Sequence, residues 1–212
     1  MRYESSSTTV KICGITCLED AAMAVHLGAQ AVGLIFYKGS PRFVRGSQAQ
    51  AIAKSLPPFI SSVALFVDPE VQYVNETIKI VQPDILQFHG EESAEFCEQY
   101  DRPYIKAIRV HKSTDLIQSC SDYSSAKGIL LDSFVLGKVG GSGVPFDWSV
   151  IPSKLPLPII LAGGLTPENV GKAVQIVRPW AVDVSSGVEI SPGKKDFNKM
   201  LAFFQGVKNA NE

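Results

Sequence analysis

Eight short apolar, β-branched runs recur along the chain, at 10–13, 31–36, 60–67, 84–89, 104–110, 128–132, 158–162 and 181–184, and they run out into Gly, Ser, Asp or His. Between them lie longer stretches with helical spacing, at 18–27, 47–56, 70–81, 92–100, 167–177 and 195–207, with weaker ones at 113–120 and after Trp148. A strand that is always followed by a helix builds a parallel sheet through right-handed crossovers. Eight such units in 212 residues leave little room for a second domain. The pattern predicts a single-domain α/β (β/α)8 barrel over residues 10–212, with Met1–Thr9 as an N-terminal extension. A doubly wound sheet would want Gly-x-Gly-x-x-Gly after its first strand, whereas this turn reads Cys13-Gly14-Ile15-Thr16. Asp68-Pro69-Glu70 and Thr166-Pro167-Glu168 are expected to start helices, each with a capping residue before Pro at the first helical position.

Composition narrows the partners. With 45% hydrophobic and 19% charged residues the chain is expected to be globular, and 20 Lys+Arg against 21 Asp+Glu leave a net charge of −1 without blocks of one sign. That balance lacks the basic stripe that nucleic acid or an anionic membrane would attract, so neither is an expected partner. The start, Met1 to Ser7, has no apolar signal region, and no apolar run is long enough to span a bilayer, which makes a cytoplasmic location the expectation. Cys13, Cys17, Cys97 and Cys120 form no C-x-x-C pair, and His26, His89 and His111 complete no zinc pattern, so reduced thiols and no metal are expected. Cys17, Cys97 and Cys120 read as small buried hydrophobes. Nothing in the sequence addresses oligomeric state.

In a barrel of this kind the chemistry sits at the carboxyl ends of the strands. Those ends carry Cys13-Gly14, Ser40-Pro41-Arg42, Asp68, His89-Gly90, Arg109, Asp132-Ser133, Gly163-Gly164 and Ser185-Ser186-Gly187. Each has a bland reading as a turn, cap or loop anchor. Strands seven and eight, however, are followed by Leu161-Ala162-Gly163-Gly164-Leu165 and Val184-Ser185-Ser186-Gly187-Val188, and adjacent glycine loops at that place suit a phosphate held by backbone N–H groups. The stretch 133–145, with Gly137, Gly140, Gly141 and Gly143, follows Asp132 directly and reads as a lid over substrate, with a plain linker as the alternative. A phosphorylated small molecule is the expected ligand.

Taken together, the motifs carry a family likeness. Lys11-Ile12-Cys13-Gly14-Ile15-Thr16, Ser40-Pro41-Arg42, Gln87-Phe88-His89-Gly90, Leu131-Asp132-Ser133, Gly140-Gly141-Ser142-Gly143 and Phe146-Asp147-Trp148 resemble, in order, the phosphoribosylanthranilate isomerases, as do the two glycine loops and Val182-Asp183-Val184-Ser185-Ser186-Gly187-Val188-Glu189. The resemblance runs from about Val10 to the last helix. It departs slightly where Ser142 replaces a frequent Thr and Phe88 a common Leu. The resemblance implies an Amadori rearrangement in tryptophan biosynthesis, N-(5-phosphoribosyl)anthranilate going to 1-(2-carboxyphenylamino)-1-deoxyribulose 5-phosphate, on a barrel without metal or organic cofactor. It implies Cys13 as general base, Asp132 as general acid, and Arg42 as the arginine that meets the anthranilate carboxylate. It also implies phosphate contacts from Gly163, Gly164, Ser185, Ser186 and Gly187. His89, Gly141 and Ser142 are taken as substrate contacts, with a loop-anchor role open for His89.

The residue types fit that chemistry. Furanose opening needs a proton on the ring oxygen, which a carboxylic acid can give, and the resulting Schiff base makes the C2′ hydrogen acidic enough for a thiolate to remove. An ordinary thiol, with a pKa of about 8.5, is somewhat weakly ionised at neutral pH. Lys11, two residues earlier on the same strand face, is a candidate cation to lower it, with Asp183 on the neighbouring strand eight as its partner. The alternatives are another phosphosugar barrel, such as indoleglycerol-phosphate synthase, whose lysine and carboxylate arrangement is not assembled here, and a non-catalytic barrel that binds a phosphorylated metabolite. A sensor has no use for an acid and a base across one mouth.

Overall fold

The computed structural model describes residues 7–111, 113–133 and 146–211. Its eight principal strands are β1 (Thr9–Cys13), β2 (Ala31–Ile35), β3 (Ser61–Phe66), β4 (Ile85–Phe88), β5 (Tyr104–Val110), β6 (Gly128–Ser133), β7 (Ile159–Leu161) and β8 (Ala181–Val184). They pair in sequence order into a closed parallel barrel, and β1 meets β8 with Lys11 opposite Asp183. Around it run α1 (Leu18–His26), α2 (Gly46–Ser55), α3 (Val71–Val81), α4 (Ala94–Glu98), α5 (Leu116–Asp122), α6 (Val170–Val177) and α7 (Phe197–Asn211). A single 3₁₀ turn, Trp148–Val150, stands where a weak helix is expected after Trp148. The chain belongs to the α/β barrels that the alternation predicts.

Period-two alternation turns the apolar side chains of the strands to the two faces of the barrel wall. Ile12, Leu34, Phe66, Phe88, Ile129 and Leu161 belong to the large cluster that includes the buried faces of the helices, while Ile105, Ala107, Leu130, Ile160, Ala162 and Ala181 form a second cluster. Phe88 lies within 6.1 Å, centroid to centroid, of Phe66, Phe96, Tyr100 and Tyr104, and it is fully buried. Burial on that scale contributes about 1.5–3 kcal/mol, which accounts for an aromatic side chain at this position.

Four local expectations are corrected. Asp68 does not cap α3: it takes φ 44° and its Oδ1 accepts from Glu91 N at 2.6 Å, so a neighbouring loop recruits the carboxylate and the helix begins at Val71. Thr166 does not cap α6, which begins at Val170 after Asn169. Instead, Asn169 Oδ1 accepts from Thr166 N at 2.8 Å and closes a turn ahead of the helix. The last helix starts at Phe197 rather than 195, because Lys194–Lys195 forms β10, paired antiparallel with β9 (Glu189–Ser191). At the other end β1 already includes Thr9, one residue earlier than the predicted boundary, and Thr8 N bonds Asn211 Oδ1 at 3.2 Å.

Candidate active site

Cys13 ends β1 beside Gly33 of β2, and a Cβ on Gly33 would stand 2.6 Å from the Cys13 sulfur. Glycine at that register position is what gives the thiol its space. The thiol is buried, and burial pushes its pKa above the ordinary range; Lys11 and Lys195 pull it down without offsetting that cost, and Asp183 pushes it further up. The expected cation is therefore present, but desolvation outweighs it. Lys11 Nζ donates to Asp183 Oδ2 at 2.9 Å, as the strand-eight pairing predicts, with both side chains under one-tenth exposed. Burial alone would lower the Lys11 pKa, yet Asp183 and Cys13 hold it above the ordinary lysine value.

Asp132 on β6 is buried and carries two hydrogen bonds: Ser133 N donates to Oδ1 at 2.8 Å, and Oδ2 lies 2.9 Å from His89 Nε2. The other ring nitrogen, Nδ1, lies 3.0 Å from Gln87 Nε2. With the Gln87 amide assigned so that its N–H faces Nδ1, the matching tautomer carries the ring hydrogen on Nε2, towards Asp132. His89 thereby ties Gln87 inside the barrel to the carboxyl group at the mouth. The loop that carries it is fixed by buried Glu92, which accepts from Gly90 N at 2.9 Å and from Lys106 Nζ at 2.7 Å.

After β7, Gly163 and Gly164 adopt φ of 78° and 68°, a region that L side chains rarely enter. A Cβ on Gly163 would strike Ser133 N and come within 2.7 Å of Asp132 Oδ1, so the first glycine loop rests directly on the acid. One on Gly187 would strike the Leu165 carbonyl, which brings the second loop against the first. Arg42, in the loop after β2, gives Nε to Glu189 Oε1 at 2.8 Å and Nη2 to Glu189 Oε2 at 2.6 Å. The Glu189 hydrogen bond raises the Arg42 pKa against the effect of burial.

These groups converge. One pocket at the carboxyl ends of the strands is lined by Cys13, Arg42, His89 and Asp132 together with the glycine loops at 163–165 and 185–187, and Ile35 and Leu65 supply an apolar wall. Cys13, Asp132, Arg42, His89, Gly163, Gly164, Ser185, Ser186 and Gly187 are thus brought together in one pocket. Gly141, Ser142 and the proposed lid lie outside the described residues. Asp68 and Arg109, also at strand ends, do not line the pocket. Asp68 bonds Glu91 N, and Arg109 pairs with the Glu91 carboxylate at 3.3 Å. Among the described residues no group of three or more His, Cys, Asp or Glu is placed to hold a metal ion, and no helix is long and apolar enough to cross a membrane.

Three neighbours of the site carry no role that the sequence alone suggests. Gln87 and Glu189 stand inside motifs, and Lys195 in a predicted helix. Glu189 meets Arg42 across 147 residues of chain, and no local pattern announces such a pair.

A family profile described as N-(5′-phosphoribosyl)anthranilate (PRA) isomerase matches residues 10–206. Among curated relatives, the N-(5′-phosphoribosyl)anthranilate isomerase of Nitrosospira multiformis is 53% identical over 201 residues, covering 95% of this chain and 97% of its own. That of Pseudomonas fluorescens is 54% identical over 206 residues, covering 97% and 98%. The solved phosphoribosyl anthranilate isomerase from Thermotoga maritima superposes with a TM-score of 0.86 at 41% identity, over 95% of this chain and 99% of that one. A phosphoribosyl anthranilate isomerase in complex with reduced 1-(o-carboxyphenylamino)-1-deoxyribulose 5-phosphate superposes with a TM-score of 0.83, also at 41% identity, over 95% of this chain and 99% of that one.

Proposed function

The chain belongs to the N-(5′-phosphoribosyl)anthranilate isomerase family, and on that premise we propose how its own residues carry the reaction, with Cys13 as general base and Asp132 as general acid. The reaction is the Amadori rearrangement of N-(5-phosphoribosyl)anthranilate to 1-(2-carboxyphenylamino)-1-deoxyribulose 5-phosphate, a step of tryptophan biosynthesis. The observation that carries the assignment is a single pocket lined by a thiol from β1, a carboxyl group from β6 and two glycine loops.

The loops at 163–165 and 185–187 take the 5′-phosphate on backbone N–H groups, and Arg42 takes the anthranilate carboxylate at the other end. Fixing both ends leaves the ribose between Cys13 and Asp132. Protonated Asp132 delivers its proton to the ring oxygen as the C1′–O bond breaks, and the anthranilate nitrogen supplies the electron pair that forms the Schiff base. His89, bonded to Asp132 Oδ2 at 2.9 Å, orients the carboxyl group. The Cys13 thiolate then removes the C2′ proton, and those electrons flow toward the iminium nitrogen to leave the enolamine. Ketonisation, in which C1′ takes up the proton that Cys13 removed and the C2′ hydroxyl proton returns to Asp132, restores both groups and completes an isomerisation in which nothing is gained or lost. Each step is a proton transfer or a bond heterolysis, so the scheme asks for no cofactor. Gly141 and Ser142 contact the substrate in this reading, residues 10–212 form the catalytic domain, and the enzyme works in the cytoplasm, where biosynthesis of this kind takes place.

The test follows the loss of fluorescence of freshly generated phosphoribosylanthranilate, corrected for spontaneous breakdown, with wild type and Cys13→Ser side by side. Rapid formation of the ketose product that collapses in the variant supports the scheme. Undiminished turnover in the variant rejects Cys13 as base.

A further inference from the structure

Glu189 lies behind the pocket wall rather than in it, and its side chain is 4% exposed. Its two oxygens take Arg42 in side-on bidentate form, through Nε and Nη2. That grip leaves the end-on edge of the guanidinium, Nη1 with the outer hydrogen of Nη2, for a second carboxylate. Oε1 also accepts from Lys195 Nζ at 2.9 Å, and Lys195, whose side chain is fully buried, reaches Ser185 O at 3.2 Å and Ser185 Oγ at 3.5 Å. One buried carboxylate therefore holds Arg42 and, through a lysine, Ser185 of the phosphate loop beside it. Burial opposes its charge, yet hydrogen bonds from Arg42 and the charge of Lys195 keep it below the ordinary glutamate range.

We propose that Glu189 is a positioning residue that presents the end-on face of Arg42 to the substrate carboxylate and couples that face to the phosphate loop through Lys195. Selectivity for a ligand bearing a carboxylate at one end and a phosphate at the other is then set by an anion that touches neither. A free loop arginine loses much rotamer freedom when it binds, and a clamped one has already lost it. The inference rests on Arg42 and the loops having the roles given above.

Charge and position predict opposite outcomes. If Glu189 only neutralises Arg42 and Lys195, removing its charge leaves a more positive pocket and tightens every anionic ligand. If it positions Arg42, removing it erodes the preference for a carboxylate. The measurement is calorimetric titration of the full chain with two stable reduced product analogues, one with the ortho-carboxylate and one without it. Wild type is expected to favour the carboxylated analogue by about 10–100-fold, the range for charge-assisted hydrogen bonds. Glu189→Gln is expected to shrink that ratio to within about threefold, since a neutral amide cannot accept from Nε, Nη2 and Nζ as the carboxylate does. Glu189→Asp keeps the charge but withdraws it by one methylene, and is expected to shrink the ratio as well. It also keeps the test intact if the Gln variant does not fold. Lys195→Met is expected to weaken both analogues, and inorganic phosphate, by similar factors.

A wild-type ratio retained in both Glu189 variants overturns the proposal while leaving the role of Arg42 standing. Tighter binding of both analogues by Glu189→Gln overturns it in favour of plain neutralisation. A wild type that does not distinguish the analogues rejects the carboxylate role of Arg42, and this inference with it.

Discussion

Lys11→Met removes the ammonium group that holds Asp183 at 2.9 Å across the β1–β8 seam. Asp183 is 7% exposed, and its other oxygen, Oδ1, is buried with no hydrogen-bond partner among the described residues, so Lys11 carries most of its compensation. At that separation and an effective dielectric of about 20, the gross attraction is about 6 kcal/mol, and desolvation of the two ions cancels much of it. What the single variant exposes is the other side of that balance, an uncompensated buried carboxylate, for which a loss of about 3–5 kcal/mol is expected. Against a total stability of about 5–15 kcal/mol this is a large fraction. With a urea slope of about 3 kcal/mol/M the midpoint should fall by roughly 1–1.7 M at pH 7, followed by tryptophan fluorescence. Adding Asp183→Asn to Lys11→Met removes the stranded charge and should recover more than half of the loss. The thiol of Cys13, deprived of its nearest cation, should be pushed further up, so its alkylation at fixed pH should slow. A Lys11→Met loss under about 1 kcal/mol, or a double variant no more stable than the single one, would refute the reasoning that this seam is an ion pair whose members depend on each other.

Three further outcomes follow from the same geometry. Cys13→Ser and Asp132→Asn should each lower kcat by about 10²–10⁴-fold while the chain stays folded, because each removes one proton-transfer group; near wild-type turnover in either rejects that assignment. Since burial holds the Cys13 thiol above its ordinary range, its rate of iodoacetamide alkylation should still be climbing with pH above about 8.5; a rate already level by about pH 8 would show that burial does not hold the thiol up. Gly163→Ala places a methyl group against Ser133 N and Asp132 Oδ1 at a φ of 78°, and should lower kcat as well as phosphate affinity; unchanged kinetics would mean that the loop does not rest on the acid.

The barrel was legible because its signals are local. Each apolar run and each helical stretch can be read within about ten residues, and eight repetitions leave one closed arrangement. Cys13, Asp132 and the glycine loops were legible for a related reason: a polar residue at the end of a barrel strand has one place to be, the mouth. Lys11 and Asp183 were paired from closure alone, since β8 must meet β1 in a ring of eight.

What the fold alone decided is who faces whom, and how dry each contact is. Asp68 looks like a helix cap in sequence and becomes an acceptor for Glu91, because a loop donor from the next unit reaches it before the helix does. His89 acquires its direction from Gln87 on one side and Asp132, 43 residues away, on the other. Glu189 meets Arg42 only after the hairpin β9–β10 folds back beside the loop after β2, and Gly33 matters to Cys13 only because register places it opposite the sulfur. The balance at the thiol is of the same kind. Sequence names the cation that should favour thiolate, whereas the cost of burying a charge depends on packing density summed over the neighbouring strands, and here that cost exceeds the attraction of both lysines. Periodicity is a property of consecutive residues, so the chain by itself determined its elements and their polar ends. Pairing and desolvation are properties of residues brought together from opposite ends of the chain, and only closure of the barrel sets them.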